Sequence, residues 1–160
     1  MSSKSKLIIN CGATHVSASE FGVSAGRLVL ESFQVQELKY DYSNQEEWLS
    51  ELAATLKMMR VSGKATVIAP SMLLLTKTIK IPHVDEARRA EVIQFEAEKN
   101  IPYPINEVSW DYEIISDDGV ETEIFLTSMK STAADDFCMA LSQAGVIPES
   151  IEESSILDYN

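Results

Sequence analysis

Only two cysteines, Cys11 and Cys138, occur in the 160 residues, and they lie far apart. No CxxC pair and no Cys/His cluster with zinc spacing is present, which excludes a disulfide scaffold and the common structural zinc sites. Both thiols are expected to pack as small apolar groups in a reducing compartment. Six glycines and five prolines exclude collagen-like and low-complexity chains. Long hydrophobic runs are missing too. The opening Met-Ser-Ser-Lys-Ser-Lys leads only into Leu7-Ile8-Ile9, too short for a signal peptide or a membrane span. A soluble, cytoplasmic protein is expected.

Basic residues are also scarce. Lys and Arg number 13 against 25 Asp and Glu, a formal net charge of −12. A tight phosphate-backbone binder needs a basic face, so neither nucleic acid nor an anionic membrane surface is an expected direct partner. Residues 1–82 carry 9 Lys/Arg and 7 Asp/Glu, whereas residues 83–160 carry 4 and 18. That break points to two units with different jobs.

What is present is patterned. Lys6–Cys11, Val16–Phe21 and Arg27–Val35 have strand character and are separated by turns at Gly12 and Gly26. Asn44 suits a helix N-cap, followed by Glu46 and Glu47. Trp48, Leu49, Leu52, Ala53, Leu56 and Met59 then recur at helical spacing up to a stop at Gly63. Ala65–Ala69 and Leu73–Ile81 are further strands, closed by Pro70 and Pro82. Asp85 suits the cap of a second helix to about Asn100, with Ala87, Ala90, Ile93, Phe95 and Ala97 on its apolar face. Ile101-Pro102-Tyr103-Pro104 cannot continue that helix, because each proline lacks an amide donor. Val108, Trp110, Tyr112 and Ile114 alternate with polar residues in a half-buried strand. Asp117-Asp118-Gly119 turns the chain into its partner strand, Val120–Met129. A third helix opens at Ser131 or Thr132 and stops at Gly145. Val146–Glu153 is a last strand, and Ser154–Asn160 has the pattern of an opening helix. Strands with helices between them give a mixed α/β class.

Motifs of known chemistry are absent: no GxxxxGK[ST], no GxGxxG, no HExxH and no GxSxG. His83 reads as a loop residue and Asp117-Asp118 as turn chemistry, so no catalytic and no metal-ligating set is expected. The turn Cys11-Gly12-Ala13-Thr14 exposes backbone amides of the kind that can cradle a phosphate; a plain hairpin turn has the same pattern.

The run Glu91–Tyr112, with its Glu- and Ala-rich helix, Ile101-Pro102-Tyr103-Pro104, the acidic Glu107, Val108 and Asp111-Tyr112, resembles the PilM family of type IV pilus assembly. Thr78-Ile79-Lys80-Ile81-Pro82 and Ala144-Gly145-Val146-Ile147-Pro148 are similar to further family features, and the resemblance covers nearly the whole chain. It implies the first lobe of an actin-like fold. Residues 1–82 and 148–160 would form a ribonuclease-H-like core, and residues 83–147 an inserted small α+β subdomain like that of FtsA. It also implies a cytoplasmic adaptor, peripheral at the inner membrane of a bacterium. Such an adaptor binds the short cytoplasmic tail of a PilN-like inner-membrane pilus protein, with possible self-association. Ile101, Pro102, Tyr103 and Pro104 are then candidate partner-binding residues.

The family's first phosphate loop matches Asn10, Gly12, Ala13 and Thr14, a degenerate nucleotide-binding candidate. Asn10 stands where the family has an aspartate, and an amide carries no charge for Mg²⁺. The sequence ends at Asn160, where the family continues into a second lobe. No cofactor and no turnover are expected of this chain, with ATP and Mg²⁺ reserved for a longer form. The alternatives are a nucleotide-binding actin-like ATPase, the cytoplasmic domain of a type II secretion L protein, and an FtsA-like division protein.

Overall fold

The structure is a computed structural model that describes residues 5–41 and 43–154. Eight strands and three helices lie along the described chain: β1 (Lys6–Cys11), β2 (His15–Ser24), β3 (Arg27–Glu37), α1 (Gln45–Met59), β4 (Gly63–Ala69), β5 (Leu75–Pro82), α2 (Glu86–Asn100), β6 (Val108–Asp117), β7 (Glu121–Lys130), α3 (Ser131–Gln143) and β8 (Val146–Glu153). The order is the one the hydrophobic periods predict. The helical pattern expected over Ser154–Asn160 lies outside the described residues, apart from Ser154.

The strands form two sheets, β3-β2-β1-β4-β8 and β5-β7-β6. In the first, β1, β2 and β3 are an antiparallel meander, while β4 and β8 run parallel to β1. That order, with a helix crossing from β3 to β4, is the expected ribonuclease-H-like arrangement of an actin-like lobe. The chain divides into two compact units, Met1–Met72 with Asp135–Asn160, and Leu73–Ala134. These divisions replace the expected ones after Pro82 and Ile147, and the reason is pairing. β5 continues the charge character of the first segment, yet all its partner residues are on β7, from Leu75↔Ser128 to Pro82↔Glu121. Most of α3, in turn, falls in the first unit.

In the first unit, α1 begins where Asn44 accepts from the amides of Glu46 at 3.1 Å and Glu47 at 3.4 Å. This satisfies two of the four orphan N–H groups at the helix start. The helix ends on Arg60 in the left-handed conformation at φ 58°. Between these ends Trp48, Leu52 and Leu56 are fully buried, as are Ile9, Val16 and Val67 on the sheet and Phe137 and Leu141 on α3. Trp48 and Phe137 stack with ring centroids 5.9 Å apart. Each such side chain contributes about 1.5–3 kcal/mol by leaving water.

The second unit has its own core. Ile79 and Ile81 of β5, Ile124 and Leu126 of β7 and Val108 of β6 pack with Ile93, Ala97 and Ile101 at the α2 end. Two expectations fail on α2. Asp85 is the N-cap residue but makes no side-chain cap bond. Of the five residues expected on the apolar face only Ile93 and Ala97 are buried; Ala87, Ala90 and Phe95 are exposed, and Phe95, two residues from Ile93, is rotated about 200° away. Lys99 instead places its ammonium 4.0 Å from the Phe95 ring centroid.

Candidate functional site

The Ile101–Pro104 turn lies in the second unit, where α2 gives way to a short 3-10 turn at Ile105–Glu107. The Ile101 amide donates to the Ala97 carbonyl at 2.9 Å and is the last amide that can do so before Pro102. Ile101 is buried and belongs to the unit's own core, where it holds the turn in place. Pro102, Tyr103 and Pro104 are exposed. Tyr103 stands out at 38% exposure. The ammonium of Lys130, at the end of β7, lies 4.3 Å from its ring centroid. Val108 pairs with Lys130 across β6 and β7, so the sheet itself delivers that cation to the turn. Two rigid prolines flanking a half-exposed ring make a pre-ordered apolar surface with little entropy left to lose. The sequence reading missed Lys130, because only the β6–β7 register brings it to Tyr103.

The glycine turn lies between β1 and β2 in the first unit. The Gly12 amide donates to the His15 carbonyl at 2.8 Å, and the Leu38 amide donates to the Thr14 carbonyl at 2.8 Å. Trp48 Nε1 donates to the Gly12 carbonyl at 3.2 Å, and the Tyr40 hydroxyl donates to the Ala13 carbonyl at 2.7 Å. Thr14 Oγ1 and His15 Nδ1 are 2.9 Å apart. The loop is thus held on its carbonyl side by the protein, and the Gly12 N–H is spent on the turn. A Cβ at Gly12 would come within 2.9 Å of the His15 carbonyl oxygen, which explains the glycine. Asn10 is exposed on β1, opposite Ser17 and Ile68. Its amide and the Thr14 hydroxyl are neutral, so this set does not fit a Mg²⁺ ion, which is held through carboxylates. Among the described residues no group of three or more His, Cys, Asp and Glu could hold a metal.

His83 is not isolated. Its Nδ1 lies 2.9 Å from Asp117 Oδ1, and Arg89 Nη2 lies 3.4 Å from Asp117 Oδ2. The Gly119 amide donates to Asp117 at 3.0 Å. That amide first, and His83 second, hold the Asp117 carboxyl below the ordinary carboxylate range, while desolvation opposes them. This cluster ties the β6–β7 hairpin to α2 and holds no nucleophile. Cys11 is buried beneath the glycine turn, and burial pushes its thiol up to about 12.

An α/β lobe with this sheet order is the actin-like lobe expected from the sequence, and solved structures share its fold. The PilM of a PilM–PilN type IV pilus biogenesis complex matches with TM-score 0.75 at 19% identity, covering 94% of this chain and 47% of that one. The cytoplasmic domain of EpsL, an inner-membrane component of the type II secretion system of Vibrio cholerae, matches with TM-score 0.58 at 8% identity, covering 92% of this chain and 56% of that one. The chain therefore spans about half the length of either. No match is found among curated proteins. The model of the type IV pilus assembly protein PilM family matches residues 9–153, and the chain belongs to that family.

Proposed function

We propose that this chain is an adaptor of type IV pilus assembly that captures the short cytoplasmic tail of a PilN-like inner-membrane protein. The observation that carries this reading is the exposed Pro102-Tyr103-Pro104 surface, fixed from below by buried Ile101 and from the side by Lys130. Aromatic anchors of this kind dominate binding energy in many interfaces. The unit that bears the turn is acidic, with 6 Lys/Arg and 12 Asp/Glu over residues 73–134. A basic tail would be steered toward it and a like-charged one repelled. Family membership and the partner in the similar PilM–PilN complex support the same reading.

On this reading the protein works in the cytoplasm and reaches the inner membrane through its partner. No described helix is long and apolar enough to cross a membrane. Catalysis is not part of the proposal, because the Asn10 loop offers neutral groups where metal-assisted phosphoryl chemistry needs a carboxylate. The test is Tyr103→Ala in a binding titration against a synthetic tail peptide. Affinity should fall about tenfold or more, with an unchanged circular dichroism spectrum and melting temperature. Unchanged affinity would overturn the role of the turn.

A further inference from the structure

α1 and α3 lie side by side in the first unit. Each leads through a short turn into one of two adjacent parallel strands, β4 and β8, so both helices run in the same direction. The Gly63 amide donates to the Gly145 carbonyl at 2.9 Å and ties their ends together. Trp48 and Phe137 stack between them on the buried side. On the outer side the two helices leave a groove of about 340 Å³, whose lining includes Glu46 and Leu49 of α1 and Asp136, Met139, Ala140 and Gln143 of α3.

This groove has an apolar middle and an acidic end. Ala140 is 5% exposed and forms the floor, where a methyl group leaves space that a longer side chain would fill. Leu49 is half-buried on one wall. Met139 on the other wall is 58% exposed, an unbranched side chain able to fold over an apolar occupant. Glu46 and Asp136 each come one turn ahead of these walls. In helices of like direction both carboxylates therefore lie at the same end, with Gln143 at the other. The remaining acidic side chains of α1 are taken up by the chain's own donors: Glu47 accepts from the Asp41 amide at 3.1 Å and from Asn44 Nδ2 at 3.0 Å, and Glu51 accepts from the Lys39 amide at 3.2 Å. Among the described residues no donor or cation meets the carboxylate of Glu46 or of Asp136.

We infer that the groove takes an amphipathic helix of a partner protein, whose inward face carries an arginine one turn away from a leucine-sized apolar residue. Charge selects this occupant. A second copy of the chain brings its own net charge of −12, and an acidic partner is repelled in the same way. Arginine fits because its planar fork can meet carboxylates from two helices while its aliphatic stem covers apolar surface. A helix fits because neighbouring helices offer ridges and grooves that a third can enter, with anchors one turn apart on a single face. The groove lies in the first unit and the Tyr103 turn in the second. It is thus a second partner surface, which does not depend on capture of the tail.

Nuclear magnetic resonance of the chain labelled with carbon-13 at its methionine methyls tests this, with the Met139 signal assigned through Met139→Leu. The probe is an acetylated, amidated peptide of Ala and Gln, about 15 residues long so that it can hold a helix, with one Arg and, one turn further on, one Leu. The Met139 methyl should shift saturably as this peptide is added. Replacing the peptide's Arg by Glu, or its Leu by Ala, should weaken binding about tenfold or more, and so should E46Q/D136N in the chain. Both carboxylates are exposed, so the double variant should keep the wild-type circular dichroism spectrum. Added salt should weaken binding as well. A Met139 methyl that stays in place at millimolar peptide, equal binding of either altered peptide, or binding untouched by E46Q/D136N would overturn the assignment.

Discussion

Cys11 shows how local environment decides what a residue can do. It ends β1, directly before the glycine turn, and is 1% exposed. Burial disfavours the thiolate and pushes the pKa to about 12. The reacting species is the thiolate, so Cys11 is inert in the folded chain. Cys138 on α3 is also shifted up, by desolvation and then by Asp135, but it is only partly buried. A short alkylation at neutral pH should therefore label Cys138 slowly and Cys11 not at all. Unfolding in denaturant should make the two equally reactive. Peptide mass spectrometry reads both; early labelling of Cys11 would show that the turn above it opens. The expectation of two thiols packed as small apolar groups holds for Cys11 and only half holds for Cys138. At this same scale Ile101 is buried while the other three residues of its turn are exposed. A Pro-rich turn tells where a helix must stop, but not which of its residues faces the core. That choice depends on the Ile79–Ile124 surface against which α2 packs.

Among the elements, those whose borders rest on local chemistry were legible in advance. Asn44 caps α1, and the β6–β7 turn contains Gly119 at φ 83°. Both depend on neighbouring residues alone. The allegiance of β5 was not legible, because hydrophobic alternation marks a strand without naming its partner. Nor was the free edge of β3, since sheet order is a property of the whole fold. The β6–β7 hairpin supports a prediction of its own. Its turn stabilises the ionised form of Asp117 through the Gly119 amide and then His83, and of Asp118 through the amides of Glu121 and Val120. A carboxylate whose folded pKa is depressed stabilises the fold fully above its unfolded pKa, and that contribution is lost as pH falls through the folded value. Asp117→Asn should therefore lower the melting temperature at neutral pH. The gap from wild type should shrink as pH drops below the ordinary carboxylate range and close in stronger acid. A gap that is constant from pH 7 to pH 2 would mean that the aspartate matters for its shape and not for its charge.

For the molecule as a whole, the acidic excess beyond residue 82 and the two compact units describe the same division at different resolution. Charge counting placed the break at residue 82, and pairing places it ten residues earlier, because β5 carries its own lysines, Lys77 and Lys80, into the second unit. Fold class and family were legible from the Ile-Pro-Tyr-Pro run and from element order, while the groups around each candidate site came only from tertiary register. The actin-like lobe then poses the question of nucleotide. The turn after β1, which resembles the family's phosphate loop, directs its Gly12 amide to His15 and has Asn10 and Thr14 as its side-chain donors. Two neutral groups cannot replace the carboxylate that holds a hydrated Mg²⁺ against the charge of a triphosphate. Titration of Mg-ATP into this 160-residue chain in a calorimeter should accordingly give no saturable heat, and Asn10→Asp, which restores the charge at the loop, is the variant most suited to gaining it. Saturable binding by the unaltered chain would show that the amides of the turn suffice without a metal. It would move a nucleotide-dependent switch ahead of the plain adaptor proposed above.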